Sequence, residues 1–452
     1  MIRAVAALVW QWGAPTDSFL RFGDSDSYWY LARTIADGTP YQYGSPNSKI
    51  FRAPLYPMFI SPWTKFLPNG ARFSWNAILA ARLAGCVLGA GCIGLTIRLA
   101  SKLSDGNRVS YHKRSITAHS IGLLAGLLAM LYPGAIGMSI FVLSESLFCP
   151  LMLLCLLATH RAIESTLPNK KGRAWVWMLV AGMLSGAACL TRPSWSLWPA
   201  ILFPYLFFTM KWRDWVACCA LFCIGICLAM CPWWVRNYNI TGKFVPTTLQ
   251  VGASLYDGWH PGASGASDED MRFVEAFAKE QIDDDQVLLN RGSQLEGTYE
   301  WRLDRKLKNA AIHWAYENSS DARRLGLVKL IKTWSPLPVA RELGSDVVRW
   351  AEAIGYTSIM CFGLIGVWQC RKLPGAWLYV IPCIYFALLH MFFIGSVRYR
   401  QPAVLVLCAL GGVGIIATAR WINERLARNK TNIANIDGSI ISNNVTADSS
   451  PT

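Results

Sequence analysis

The chain has 452 residues, is 53% hydrophobic with 21 Trp, and carries a formal net charge of +15. That composition excludes an ordinary soluble domain and indicates a polytopic membrane protein, because crossing a ~30 Å hydrocarbon core takes about 20 apolar residues. Its positive charge is not a nucleic-acid signal, since no basic cluster with interleaved aromatics occurs in a soluble segment.

The first stretch, MIRAVAALVW, is apolar but too short to cross, and reads as a truncated or partly embedded span. It has one Arg, a short apolar core and no Ala-x-Ala site ahead of Asp24, which argues against a cleavable signal peptide. The polar stretch 21–57 follows. Asp24 and Asp26 open a helical pattern in which Tyr28, Leu31, Ala32 and Ile35 recur at three- and four-residue spacing. The pattern predicts an amphipathic helix on the membrane surface. Asp26 or Ser25 suits an N-cap for a helix starting near Ser27, but one cap does not explain two acids. Arg52, Pro54, Tyr56 and Pro57 then return the chain to the membrane with a cation and stiff turns.

Nine apolar runs long enough to span follow, near 76–100, 117–136, 141–160, 175–191, 194–210, 215–234, 350–369, 375–394 and 402–420. Lys and Arg concentrate in alternate short loops, among them Lys102, Arg108, Lys113, Arg114, Arg161, Lys170, Lys171, Arg173, Arg371, Lys372 and Arg420. The bias puts those loops and the segment 420–430 in the cytoplasm, and the loops 13–75 and 235–349 outside. All 14 Cys lie in or beside apolar spans, so no outer disulfide framework is expected. Cys219, Cys223, Cys227 and Cys231 form a helical stripe without zinc spacing, and the six His are scattered.

Several charged residues stand at the expected outer ends of spans. Glu145 is an acid just inside an apolar run, either functional or hydrogen-bonded to Ser144 or Ser146 as helix glue. Arg192 lies in the Leu190-Thr191-Arg192-Pro193 turn, Arg236 ends the 215–234 run, and Arg398 and Arg400 precede the last span. Arginine suits phosphate because its planar fork donates two parallel hydrogen bonds. Between these, 235–349 holds 15 Lys and Arg against 16 Asp and Glu, a balance that fits a solvated domain. Its Gly- and Pro-rich first part predicts ordered loops or short strands, and helices are expected at about 268–282 and 293–332. In the second helix Trp301, Leu303, Leu307, Ala311, Trp314 and Ala315 share an apolar face suited to covering the membrane. Asp283, Asp284 and Asp285 read as a solvated turn, and the polar tail from Asn429 as disordered.

In order along the chain stand GDSDSYWYLA, FRAPLYP, LSESL, LTRP, PWWVRNYNITGKFV, IKTWSP and VRYRQP. With these motifs in this order the chain resembles the GT-C superfamily of lipid-phosphate-dependent glycosyltransferases, and within it the bacterial relatives of protein O-mannosyltransferases. The resemblance implies an all-α polytopic fold of about 9–10 transmembrane helices, with an outer amphipathic-helix loop and a mainly helical outer domain. It divides the chain into a catalytic membrane module 1–234 containing the loop 13–75, an outer domain 235–349, C-terminal helices 350–420 and a tail 421–452.

It also implies an inverting transfer from a polyprenyl-phosphate sugar to an acceptor hydroxyl of a lipid, glycan or protein on the outer face. Asp24 matches the family's base by position, with Asp26 capping or supporting the helix. The family often has an acid directly after its Asp where this chain has Ser25, so the choice between Asp24 and Asp26 stays open. Arg52, Arg192, Arg236, Arg398 and Arg400 are the phosphate candidates, and Tyr56 and Glu145 would shape the sugar pocket. No metal-ligand cluster or cofactor motif is visible, and divalent-metal dependence is left open. The alternative is a transporter or flippase of a lipid-linked sugar, for which broken helices and midplane charges are the usual marks.

Overall fold

The computed structural model describes residues 1–13, 20, 22–44, 47–67, 71, 73–105, 114–166, 173–268, 271–337 and 346–447. Among them every long regular element is a helix and no strand occurs. Three short helices, α1 (Ile2–Trp12), α2 (Gly23–Ala36) and α3 (Leu55–Thr64), precede the long α4 (Trp75–Asp105). Next come α5 (Arg114–Leu131) and α6 (Pro133–Ile140), two parts of one apolar segment bent by 62°. Pro133 causes the break, because it lacks an N–H and forces Tyr132 out of helical geometry to φ −66°, ψ 119°.

The bundle continues with α7 (Glu145–Ser165), α8 (Ala174–Cys189), α9 (Trp198–Thr209) and α10 (Trp212–Thr241). A loop domain then carries α11 (Val251–Gly258), α12 (Arg272–Asn290), α13 (Tyr299–Glu317) and α14 (Ser319–Trp334). The chain re-enters the bundle with α15 (Asp346–Cys370), α16 (Trp377–Phe392) and α17 (Gln401–Ala447). Two short 3-10 turns matter below, Pro193–Trp195 and Val397–Arg400.

The protein is an all-α integral membrane protein, and its nine expected apolar runs are all largely helical. Among the described residues five helices are long and apolar enough to cross a bilayer: α4, α7, α10, α15 and α17, the last together with its preceding turn. The bent pair α5 and α6 makes a sixth if counted as one span. α8 and α16, with 16 residues each, rise only about 24 Å, short of the hydrocarbon core. The run at 194–210 is a 3-10 turn followed by the 12-residue α9. Close packing holds the long helices together, as at Gly182 and Gly366, where a Cβ would overlap the Phe222 and Leu410 carbonyls of α10 and α17. α1 packs on α4 and α6 with Ala7 fully buried, which fits a partly embedded segment.

Several local expectations are corrected. α2 begins at Gly23, not near Ser27, and its N-cap is Phe22 with no side-chain cap bond. Asp24 and Asp26 therefore lie inside the first turn, where the helix dipole favours acids without any capping role. Residues 251–258, expected as loop or strand, form α11, and the helix expected over 293–332 is broken at Asn318. The face containing Leu307 and Ala311 is covered by protein at those two residues, not left free for a membrane. Asp283 to Asp285 lie within α12, where Asp285 pairs with Arg302 at 2.6 Å and Asp284 with Lys306 at 2.9 Å. α17 continues as helix to Ala447, beyond the point where the tail's composition predicts an end to order. Arg108, Lys113, Lys170 and Lys171 lie outside the described residues.

Candidate functional site

Five side chains from widely separated segments converge where α2 meets the ends of the bundle helices. Asp24, in the first turn of α2, has a side chain about 30% exposed. Its Oδ1 accepts from Arg52 Nη2 at 2.5 Å and its Oδ2 from Arg398 Nη1 at 2.8 Å. Arg398 also reaches Glu145, donating from Nε to Oε1 at 2.5 Å and from Nη2 to Oε2 at 3.3 Å. Arg192 Nη1 lies 2.5 Å from Glu145 Oε1, an ion pair by distance that lacks hydrogen-bond direction. The order along the cluster is thus Arg52, Asp24, Arg398, Glu145, Arg192.

Local sequence explains each placement. Glu145 opens α7 after the irregular turn 141–144, so it enters the bundle fully buried and must be charge-paired. Its short contacts are to the two arginines; Ser144 Oγ also donates to its Oε2, at 3.5 Å, while Ser146 Oγ donates to the Leu143 carbonyl. Arg192 is extended at φ −138°, ψ 110° because Pro193 follows it, and it rests against Phe148 and Tyr399 at 5.8 and 5.3 Å. Trp195 and Trp198, stacked at 4.4 Å and fully buried, floor this corner. Tyr56 is buried in α3, edge-on to Tyr28 at 5.1 Å, with its hydroxyl bonded to the Ser146 side chain.

The electrostatics follow from the geometry. Burial works to raise the Asp24 pKa, but the Arg52 and Arg398 guanidiniums outweigh it and hold the carboxyl well below the usual carboxylate range. Among the described residues three guanidiniums face two carboxylates in this cluster, one positive charge in excess in a partly desolvated corner. Behind Glu145 a hollow is lined by Arg3, Ser139, Ser146, Cys149 and Gln401. Among the described residues no group of three or more His, Cys, Asp or Glu could hold a metal ion.

Three predicted site residues stand apart from the cluster. Asp26 is two residues along α2, roughly 200° round the helix from Asp24. Arg236 braces the first loop, donating to the Lys49 carbonyl at 3.1 Å and the Tyr41 carbonyl at 3.3 Å, over Trp233 at 4.8 Å. Arg400 is fully buried and turned away: it pairs with Glu352 at 3.4 Å, stacks on Tyr356 at 3.5 Å and donates to the Thr333 and Ser335 carbonyls. Two residues in a 3-10 turn rotate a side chain by about 240°, so Arg398 and Arg400 cannot serve one ligand.

The supporting residues were less visible in the sequence. Ser27 Oγ accepts from Arg52 Nε at 3.1 Å, and Gln250 Oε1 from Arg52 Nη1 at 2.8 Å. Glu300, on α13, accepts the backbone N–H groups of Lys49 and Ile50 at 2.9 and 3.1 Å, tying the first loop to the loop domain. Burial pushes its carboxyl up to about 7 against the pull of those two N–H groups. Glu352 was the one with a readable signal, an acid inside the apolar run 350–369.

No protein-family model matches the sequence, and no curated protein matches it. Solved structures do. The oligosaccharyltransferase of Archaeoglobus fulgidus, tethered to an acceptor peptide, aligns with a TM-score of 0.51 at 12% identity. The alignment covers 92% of this chain and 48% of that one, so the chain spans about half the length of that neighbour. This chain shares its fold with that oligosaccharyltransferase. ArnT of Cupriavidus metallidurans also aligns, at 16% identity over 94% of this chain. Its apo structure and its complex with undecaprenyl phosphate give TM-scores of 0.37 and 0.38 over 79% and 80% of that chain.

Proposed function

We propose that the protein transfers a sugar from a polyprenyl-phosphate donor to an acceptor hydroxyl, on the extracytoplasmic face and with inversion at the anomeric carbon. The observation that carries this reading is the surplus positive charge of the Arg52, Asp24, Arg398, Glu145 and Arg192 cluster. A phosphate ester supplies the missing anion, and the guanidiniums of Arg192 and Arg398, which share Glu145, supply donors for it. Asp24 lies beside that anion site as the base. The acceptor oxygen attacks the anomeric carbon, its proton passes to the Asp24 carboxylate, and the bond from that carbon to the phosphate oxygen breaks with its electron pair leaving on the lipid phosphate. Arg192 and Arg398 stabilise the charge that develops there. Tyr56 and Glu145 shape the pocket for the sugar.

The ArnT structure with undecaprenyl phosphate supplies the probe for a test, and the acceptor peptide of the oligosaccharyltransferase supplies one acceptor class to examine. A deletion strain lacks one envelope glycan or glycolipid present in its parent, and the wild-type gene restores it whereas Asp24→Asn does not. Unchanged envelope glycans and glycolipids in the deletion strain would remove the assignment.

A further inference from the structure

Asp24 is badly placed to act as a base in the state described above. Both of its oxygens accept from guanidiniums, at 2.5 Å from Arg52 and 2.8 Å from Arg398. A carboxylate matched by two cations is a weak proton acceptor, because the charge it would lose on protonation is the charge that both partners need. The two partners differ in how they are held.

Arg52 is fixed independently of Asp24. It donates to Ser27 Oγ and Gln250 Oε1 and lies over Tyr28 and Phe51 at 5.2 and 4.8 Å. Every side-chain hydrogen bond that Arg398 donates goes to a carboxylate, Asp24 or Glu145. Its position is therefore set by where the anions are. Arg192 stands on the far side of Glu145, with Nη1 2.5 Å from Oε1, so Glu145 is shared by two guanidiniums and the cluster carries more cation than acid.

We propose that Arg398 is a donor-responsive latch: it masks Asp24 in the free protein, and a lipid phosphate bound at the exposed side of Arg398 draws it off and exposes the base. The proposal rests on the transferase reading above and adds an order to it. Donor binds first, and an acceptor that arrives before the donor meets a carboxylate that cannot take its proton. Glu145 is the positioning residue of the device, since it keeps Arg398 in the cluster while the guanidinium exchanges one anion for another. Arg52 stays on Asp24 throughout and keeps it oriented.

The test uses the purified full-length protein in detergent, with undecaprenyl phosphate as probe. A water-soluble carbodiimide and an amine label accessible carboxyls, and mass spectrometry reads the label on the Asp24 peptide; native mass spectrometry reads lipid binding on the same samples. Asp24 in the wild type labels slowly alone and severalfold faster with the lipid bound, while Asp285, paired with Arg302 in the loop domain, does not change. In Arg398→Gln the Asp24 label is fast with or without lipid. Arg398→Lys, a point charge that cannot bridge two carboxylates, lies nearer the Gln variant than the wild type. Bound lipid with unchanged or slower Asp24 labelling in the wild type overturns the latch and leaves the transferase reading intact. Absence of lipid binding overturns both. The wild-type comparison stands even if neither variant folds.

Discussion

Arg398 and Arg400 are two residues apart in one turn, and each pairs with an acid of the bundle, yet they belong to opposite kinds of polar network. Arg400 is fully buried, and its partner Glu352 also accepts from Tyr132 at 2.5 Å and Gln401 at 3.2 Å. With Thr333 and Ser335 it ties α15 and α17 to the end of α14, and one acid matches one base. Arg398, about 20% exposed, is shared between two acids in a cluster with a positive charge to spare. The contrast teaches that burial and charge balance, not the pairing of acid with arginine, set these two networks apart. A buried pair balanced in charge leaves no net charge for a ligand, whereas an unbalanced, partly exposed cluster has one to offer.

The comparison can be broken most severely at Asp24. Asp24→Asn keeps size and shape but cannot take a proton, so turnover should fall by about 100- to 10,000-fold, the usual worth of a general base. Asp26→Asn should lose much less, because it lies on another side of α2. Near-parental turnover in Asp24→Asn with loss in Asp26→Asn would move the base by two residues.

The second expected effect belongs to the brace. Glu352→Ala strands a buried guanidinium and should cost about 3–5 kcal/mol of stability, read as a large fall in thermal midpoint. Arg398→Gln should cost less stability and more activity. Equal melting shifts for the two variants would erase the distinction between them.

A smaller effect separates the arginines. Arg192→Gln should weaken undecaprenyl phosphate binding roughly tenfold, the value of one charged hydrogen bond, and Arg236→Gln should leave it near parental because that side chain braces the Lys49 and Tyr41 carbonyls. Similar losses at both positions would place Arg236 in the phosphate site after all.

The smallest concerns Glu300, whose carboxyl burial raises to about 7 from an ordinary value of 4.5. The folded protein holds this proton more tightly than the unfolded chain, so the contribution is full below about pH 4.5 and is lost as pH rises through about 7. The wild-type melting temperature should therefore drop across that window relative to Glu300→Gln. Parallel pH profiles would mean that the loop-domain contact does not titrate there.

How much of this was legible in the sequence follows from distance along the chain. The polar run from Gly23 to Ala36 and the Arg52 return stand out because they interrupt an apolar sequence, and Arg52 is near enough to Asp24 for one loop to join them. Glu145, Arg192 and Arg398 each stand out as charges at expected span ends, but their meeting depends on helix packing over as many as 253 residues of separation. The opposed directions of Arg398 and Arg400 depend on a 3-10 turn that periodicity does not reveal. The start of α2 was misplaced because a capping signal at Ser25 or Asp26 competes with the dipole preference for acids within the first turn. Glu300 gave no sign of its role, since an acid in an amphipathic helix is ordinarily solvated.

The central claim, that an unbalanced arginine cluster holds a lipid phosphate beside Asp24, is tested most directly by titrating the purified protein with undecaprenyl phosphate and with undecaprenol. The two lipids share a chain and differ in the anion. The account predicts that the phosphate binds roughly tenfold tighter or better, and that Arg192→Gln removes most of the difference. Equal affinity for the two lipids would contradict it.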